Sequence, residues 1–199
     1  MRRMDIINYY LWKMSSPKSY LEIGVGNPIG NFNLIKADIK TSVSKPESGC
    51  NYKYDYPMKS DKFFKINKRK YDVIFIDGLH IFTQSYKDFL NAEKFITNRG
   101  IIILHDCCPI AEEHQLENNT SRTWNGTVWK TFVKLRCERD DLEMFVIDTD
   151  WGVGIVRKGK QKLFKTNEDI FNYKVFDKHR KEVLNLLSLE EWKLNENIH

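Results

Sequence analysis

No stretch of this chain strings together the roughly 20 consecutive apolar residues that a membrane-spanning helix requires. The opening "MRRMDIINYYLWKM" is basic at its start, but Asp5, Asn8 and Lys13 break up its apolar residues, so no signal peptide is expected. Cysteine is scarce, with Cys50, Cys107, Cys108 and Cys137 making up the 4. None stands in a C-x-x-C pair, and adjacent Cys107 and Cys108 cannot readily bridge each other. That excludes a zinc knuckle and a disulfide framework, and leaves reduced thiols in a cytoplasmic protein as the expectation. The acceptor triplets beginning at Asn118, Asn119 and Asn125 carry no weight in such a setting. Internal repeats, low-complexity tracts and linkers are also missing, so one domain over residues 1–199 is expected.

What is present supports a folded core. Hydrophobic residues make up 41% and aromatics 13%, against 30% charged. The net charge of +5 comes largely from "KSDKFFKINKRKY" and "VRKGKQKLFK", runs of the kind that form solvated faces. A sustained basic stripe interleaved with aromatics is lacking, so no nucleic-acid footprint is read.

Apolar residues Ile6, Ile7, Tyr10, Leu11 and Met14 recur at helical spacing and predict a first helix. "SYLEIGV" reads as a short buried strand, "NFNLIK" as a brief helix and "IKTSV" as a second strand. The turn-rich stretch after it offers one short strand at Tyr52 to Tyr54, then a helix in "SDKFFKIN" capped by Ser60 or Asp61. "YDVIFID" and "GIIILHD" are apolar runs expected of central strands covered on both faces, with the helix "TQSYKDFLNAEKFI" between them. Strand, helix and strand at this spacing make a βαβ unit and hence a parallel sheet. "WNGTVWKTFVKLR" predicts a helix, "LEMFVIDT" and "WGVGIVRK" an antiparallel hairpin, and the tail from about residue 167 one or two closing helices. The fold class is therefore α/β and Rossmann-like, with a mostly parallel central sheet, an antiparallel C-terminal hairpin and flanking helices.

In open sheets of this class, ligands lie beyond the carboxyl ends of the strands. Polarity switches on at three such ends: Glu22 to Gly26, Asp77 to His80, and His105 with Asp106. The glycine loop "YLEIGVGNPIGNF" is not a dinucleotide fingerprint, because three residues separate Gly26 from Gly30.

Taken in order, "YLEIGVGNPIGNF", "MKSDKFF", "YDVIFIDGLHIFTQSYKDF", "RGIIILHDCCP", "WNGTVWKTFVKLR" and "DTDWGVGIV" resemble the class I S-adenosylmethionine-dependent methyltransferases, in particular methyltransferase family 24. The likeness implies S-adenosyl-L-methionine as cofactor, bound by Glu22, Gly24, Gly26, Gly30 and Asp77. A sulfonium cofactor has no pyrophosphate, which relaxes the need for the third glycine at a helix N-terminus. Ser44 takes the position where the family usually carries a ribose-binding acid, so either Ser44 or Glu47 from the next turn is expected to serve. Asp61 matches an acid that approaches the adenine amino group.

Methyl transfer to a hydroxyl needs a positioned acceptor and a way to remove its proton. Asp77, His80, His105 and Asp106 form the candidate catalytic set, with His105 the first choice of base because it directly precedes the acid. Metal-dependent relatives imply a second route, in which Asp77 and Asp106 hold a divalent ion such as magnesium, although Cys107 stands where an amide ligand is usual. Trp124, Asn125 and Trp151 are expected to bound an acceptor pocket whose flat faces suit a sugar or glycan ring. A small natural product as acceptor, and a scaffold that keeps the fold without transfer, are the two other readings.

Overall fold

The computed structural model describes residues 1–46, 51–118 and 123–198, so Glu47, Cys50, Asn119 and His199 lie outside the described residues. Seven strands form one sheet: β1 (Ser19–Ile23), β2 (Ile39–Val43), β3 (Tyr71–Ile76), β4 (Ile96–Leu104), β5 (Leu142–Ile147), β6 (Val153–Lys158) and β7 (Leu186–Leu187). Their order across the sheet is β2-β1-β3-β4-β6-β5-β7. The pairs β2/β1, β1/β3 and β3/β4 are parallel, whereas β6 runs antiparallel between β4 and β5. The chain leaves β1 for β2 on one side and returns to β3 on the other. A crevice therefore opens at the carboxyl ends of β1 and β3.

Alternation along the central strands sorts the core into two layers, because successive side chains of a strand point to opposite faces. Ile74 and Ile76 of β3, with Ile102 and Leu104 of β4, pack on helices α2 (Ser60–Ile66), α3 (Phe82–Ala92), α4 (Trp129–Glu138) and α5 (Tyr173–Val183) through Phe63, Phe89, Phe132 and Phe176. Val73 and Phe75, with Ile101 and Ile103, face the other way onto α1 (Arg3–Trp12) and α6 (Leu189–Asn195) through Ile7, Leu11 and Trp192. Both faces are covered, which is why β3 and β4 read as unbroken apolar runs. Among the described residues no helix is long and apolar enough to cross a membrane.

Several boundaries differ from the sequence expectation. Residues 52–54 form no strand; the only pairing there is a single bridge from Val43 to Tyr56. The chain meets β2 through a side chain instead, since the Asp55 carboxylate accepts from the Ser42 backbone N–H at 2.8 Å and hydroxyl at 2.7 Å. Helix α2 is preceded by Lys59 with no side-chain cap, so neither Ser60 nor Asp61 caps it. Strand β4 begins at Ile96, ahead of Gly100, and α4 begins at Trp129, leaving Trp124 to Val128 as a turn. "NFNLIK" makes only a 3-10 turn over Phe32–Leu34. The tail holds two helices with the short strand β7 between them.

Candidate active site

The glycine loop leaves β1 at Gly24, whose φ of +90° is a left-handed conformation that favours glycine. A Cβ at Gly24 would lie 2.1 Å from the Asp77 carbonyl oxygen, so this glycine exists to let the ends of β1 and β3 touch. Gly26 is different: a Cβ there would meet nothing within 4 Å, and the residue lines an open cavity of about 590 Å³. Gly30 also lines it, and its Cβ would make only an ordinary 3.7 Å contact. Glu22 is buried at the loop's base, accepting from the Tyr20 hydroxyl at 2.5 Å and the Asn31 amide at 2.9 Å. Burial outweighs those two hydrogen bonds and pushes the Glu22 carboxyl up to about 7. The Asn31 Oδ1 is buried without a hydrogen-bond partner beside the same cavity.

Beyond the ends of β3 and β4, acids and imidazoles interlock. His80 Nε2 lies 3.3 Å from Asp77 Oδ1, and its Nδ1 lies 3.4 Å from Asp106 Oδ2. His105 Nδ1 is 2.9 Å from Asp106 Oδ2 and 3.4 Å from Asp77 Oδ1, while its Nε2 is 3.7 Å from Asp150 Oδ1. Arg3, from the first turn of α1, donates through Nη1 to Asp77 at 2.7 Å and through Nε to Asp150 at 3.1 Å. Asp106, Asp150 and Trp151 all hold left-handed backbone, with φ of 59°, 46° and 66°. For Trp151 in particular that conformation is uncommon, and such strain persists only where neighbours fix it. Here Cys107 N–H donates to the Gly152 carbonyl at 3.1 Å and Cys108 N–H to the Trp151 carbonyl at 3.0 Å.

The two histidines are not equivalent. Burial alone would lower the His105 imidazole, but the Asp77 and Asp106 charges override it and hold it well above the ordinary range. His105 is 3% exposed and its Nε2 is sealed without a hydrogen-bond partner. His80 is more accessible, with its side chain 21% exposed, and stacks on Trp124 at 4.9 Å between ring centroids. Burial lowers His80 too, and Asp77 and Asp106 more than reverse it, leaving the ring above its ordinary value. Asp77 runs the other way: burial would raise it, yet His105, His80 and Arg3 hold it well below the carboxylate range.

Of the residues expected at the cofactor, Glu22, Gly24, Gly26, Gly30 and Asp77 line the cavity, and Ser44 and Asp61 do not. Ser44 spends its backbone N–H on the Tyr56 carbonyl at 3.3 Å. Asp61 pairs with Lys87 at 2.7 Å, and that hydrogen bond keeps it below the usual carboxylate range. Trp124 and Trp151 line the cavity, whereas Asn125 is buried behind it and donates to Asp106 at 2.9 Å. Cys107 is fully buried, with its Sγ toward the Leu104 carbonyl, so its thiol does not enter the site. Arg3, Asp150 and Asn31 were not expected from sequence. Arg3 opens the first helix, Asp150 sits in a hairpin turn and Asn31 comes after the glycines, and none of those contexts carries a site signal.

Donor atoms of Asp77, His80 and Asp106 lie within 4.8 Å of one another, close enough to face one ion. As arranged they do not fit magnesium, which demands near-octahedral oxygen ligands. Asp77 Oδ2 is taken by Arg3, the Asp106 oxygens by His105 and Asn125, and the third donor is an imidazole.

The sheet order and the flanking helices give the chain the fold of the methyltransferases it superposes on. Residues 30–107 match the family model described as a methyltransferase domain, methyltransferase family 24. No curated protein sequence matches the chain significantly. Among solved structures, a provisionally assigned caffeoyl-CoA O-methyltransferase from Staphylococcus aureus superposes with a TM-score of 0.57 at 23% identity, covering 78% of this chain and 82% of that one. The Podospora anserina methyltransferase PaMTH1, solved with S-adenosylhomocysteine bound, gives 0.51 at 17% identity over 72% of each chain. MycE, from the mycinamycin biosynthetic pathway and solved with magnesium, S-adenosylhomocysteine and mycinamycin VI, gives 0.50 at 11% identity, covering 82% of this chain and 50% of that one. At these identities the likeness is one of fold.

Proposed function

We propose that the protein transfers the methyl group of S-adenosylmethionine to a hydroxyl of a sugar or glycan, with His80 as general base. The observation that carries this is the His80 ring itself. It is stacked on Trp124, flanked by Asp77 and Asp106, and set across the cavity from the glycine loop. The cofactor fits the loop on two counts: the open face of Gly26 and the unpaired Oδ1 of Asn31, an acceptor suited to the ammonium of the methionine moiety. Glu22, Gly24 and Gly30 complete that wall. When bound, the cofactor supplies an electrophilic methyl group on a sulfonium.

A hydroxyl that took this methyl group, leaving the sulfur as a neutral thioether, would have to give up its proton. The hydroxyl proton goes to His80. Its Nδ1 is sealed toward Asp106, which leaves Nε2 to take the proton, and the imidazolium so formed lies between two carboxylates. His105 is the poorer base because it is buried with its Nε2 sealed among Asp77, Asp106 and Asp150, and it serves to balance their charge. Trp124 and Trp151 offer the flat faces on which a sugar ring stacks. A small natural product is the other acceptor class, and an acceptor panel separates the two.

Calorimetry with S-adenosylhomocysteine tests the cofactor, followed by turnover on sugar and natural-product acceptors with and without chelator. His80→Gln is expected to keep cofactor affinity within about twofold and to lose about 100-fold or more in kcat, within the usual range for a lost general base. No binding of S-adenosylmethionine or S-adenosylhomocysteine at millimolar concentration would leave only a scaffold with this fold. Full turnover in His80→Gln would remove the base assignment.

A further inference from the structure

One guanidinium bridges two of the three acids at the site, Asp77 and Asp150. Arg3 Nη1 reaches Asp77 Oδ2 at 2.7 Å and stands 3.2 Å from His105 Nδ1. Its Nε and Nη2 reach Asp150 at 3.1 and 3.5 Å, and its backbone N–H donates to the same carboxylate at 2.9 Å. The contact therefore joins α1 to the end of β3 and to the β5–β6 turn at once. A guanidinium is planar and always charged, and its fixed fork sets the separation of the groups it bridges. It is also partly buried here, its side chain 27% exposed against 19% and 13% for its two acid partners, so water screens the pair less than at a free surface.

The same Asp77 belongs to the only trio of acid and imidazole donors that can converge on one ion among the described residues. A cation and Arg3 thus compete for one carboxylate. We propose that Arg3 is a positioning residue that stands in for a metal ion, holding Asp77 and Asp150 in place and keeping divalent cations off the Asp77–His80–Asp106 trio. This rests on the methyl-transfer reading for its catalytic consequence, though not for its effect on ion binding. Without Arg3, Asp77 and Asp150 keep only His105 as a shared counter-charge, and the trio regains a free carboxylate oxygen facing the cavity.

The test uses manganese(II) chloride alone, titrated into the intact protein and followed by the loss of the free-ion paramagnetic resonance signal. Native protein is expected to bind manganese only at millimolar concentration, and Arg3→Met at least tenfold more tightly. Arg3→Met with Asp77→Asn should lose that gain, which assigns it to this site. Arg3→Lys keeps a charge without the fork; it should bind manganese as weakly as the native protein while recovering only part of kcat. Arg3→Gln provides a second neutral variant should Arg3→Met fail to fold, with thermal melts run on each. In the transfer assay, Arg3→Met should lower kcat at least tenfold in chelator with cofactor affinity changed less than about twofold. Micromolar manganese binding by the native protein, or no gain in either neutral variant, overturns the proposal. Because the titration needs neither cofactor nor acceptor, failure of the transfer reading would show separately, as absent binding of S-adenosylhomocysteine.

Discussion

Glu22 is a carboxyl group held where water does not reach it, and its folded value of about 7 against an ordinary 4.5 has a sign that can be worked through. Between those values the folded protein holds a proton that the unfolded chain has released, so stability falls as pH rises through this window. Glu22→Gln keeps a partner for Tyr20 and should remove that slope, raising stability at pH 8 by on the order of 2 kcal/mol in urea melts. A variant no more stable than the parent at pH 8 would refute the buried-acid account. His105, raised above its ordinary value, adds stability that is full below about 6.5 and is lost as pH rises through its folded value. Asp77 and Asp150, both depressed, add stability present above about 3.8 and lost as pH falls below it. The three effects together place the stability maximum between about pH 4 and 4.5, readable from a series of melts. At this scale, Glu22, Asp77, His80, His105 and Asp106 were legible because each sits where an apolar strand turns polar. Arg3 and Asp150 were not, because their roles depend on a long side chain crossing from a helix to a hairpin turn.

Among the elements, two glycines make a contrasting pair. Gly126 has φ of +60°, and a Cβ there would fall 1.9 Å from the His80 carbonyl oxygen. Gly126→Ala should therefore cost about 3 kcal/mol or more and displace the His80 ring, lowering kcat. Gly30→Ala, facing only an ordinary contact, should stay within about 0.5 kcal/mol of the parent. Equal costs for the two, measured by urea melts, would mean that the close approach at His80 does not govern this turn. Helices and central strands were legible from periodicity, because burial on one face or both writes itself into the spacing of apolar residues. The segment at 52–54 was not, since its aromatic alternation resembles a strand while its link to β2 is a side-chain carboxylate. Likewise the helix expected over "WNGTVWKTFVKLR" loses its first five residues, because the Thr127 N–H is drawn to the His80 carbonyl at 2.9 Å and holds the turn open until Trp129.

Across the whole molecule, the first and last helices share one face of the sheet. Trp192 is fully buried and donates to the Tyr10 hydroxyl at 3.0 Å, and Glu196 pairs with Lys13 at 2.6 Å and with Arg157 at 3.3 Å. Trp192→Ala removes the largest side chain between α6 and α1 and should cost about 3–5 kcal/mol. Since α1 also carries Arg3, kcat should fall further than cofactor affinity in the same variant; equal losses would uncouple the two helices from the site. The parallel centre and antiparallel end of the sheet were legible from the order of elements, whereas the docking of α6 on α1 was not, because nothing local in either helix names its partner.

The cavity has two kinds of wall, and they differ in what change they tolerate. On one side Gly24 brings main chain against main chain, so almost any side chain added there collides with an oxygen that cannot move. On the other, Trp124 and Trp151 are half-buried or exposed rings on loops, replaceable without touching the sheet. A library seeking new acceptors should therefore randomise the tryptophan side and leave the glycine side alone. Variants with altered acceptor choice and parental melting behaviour should come from that half of the pocket.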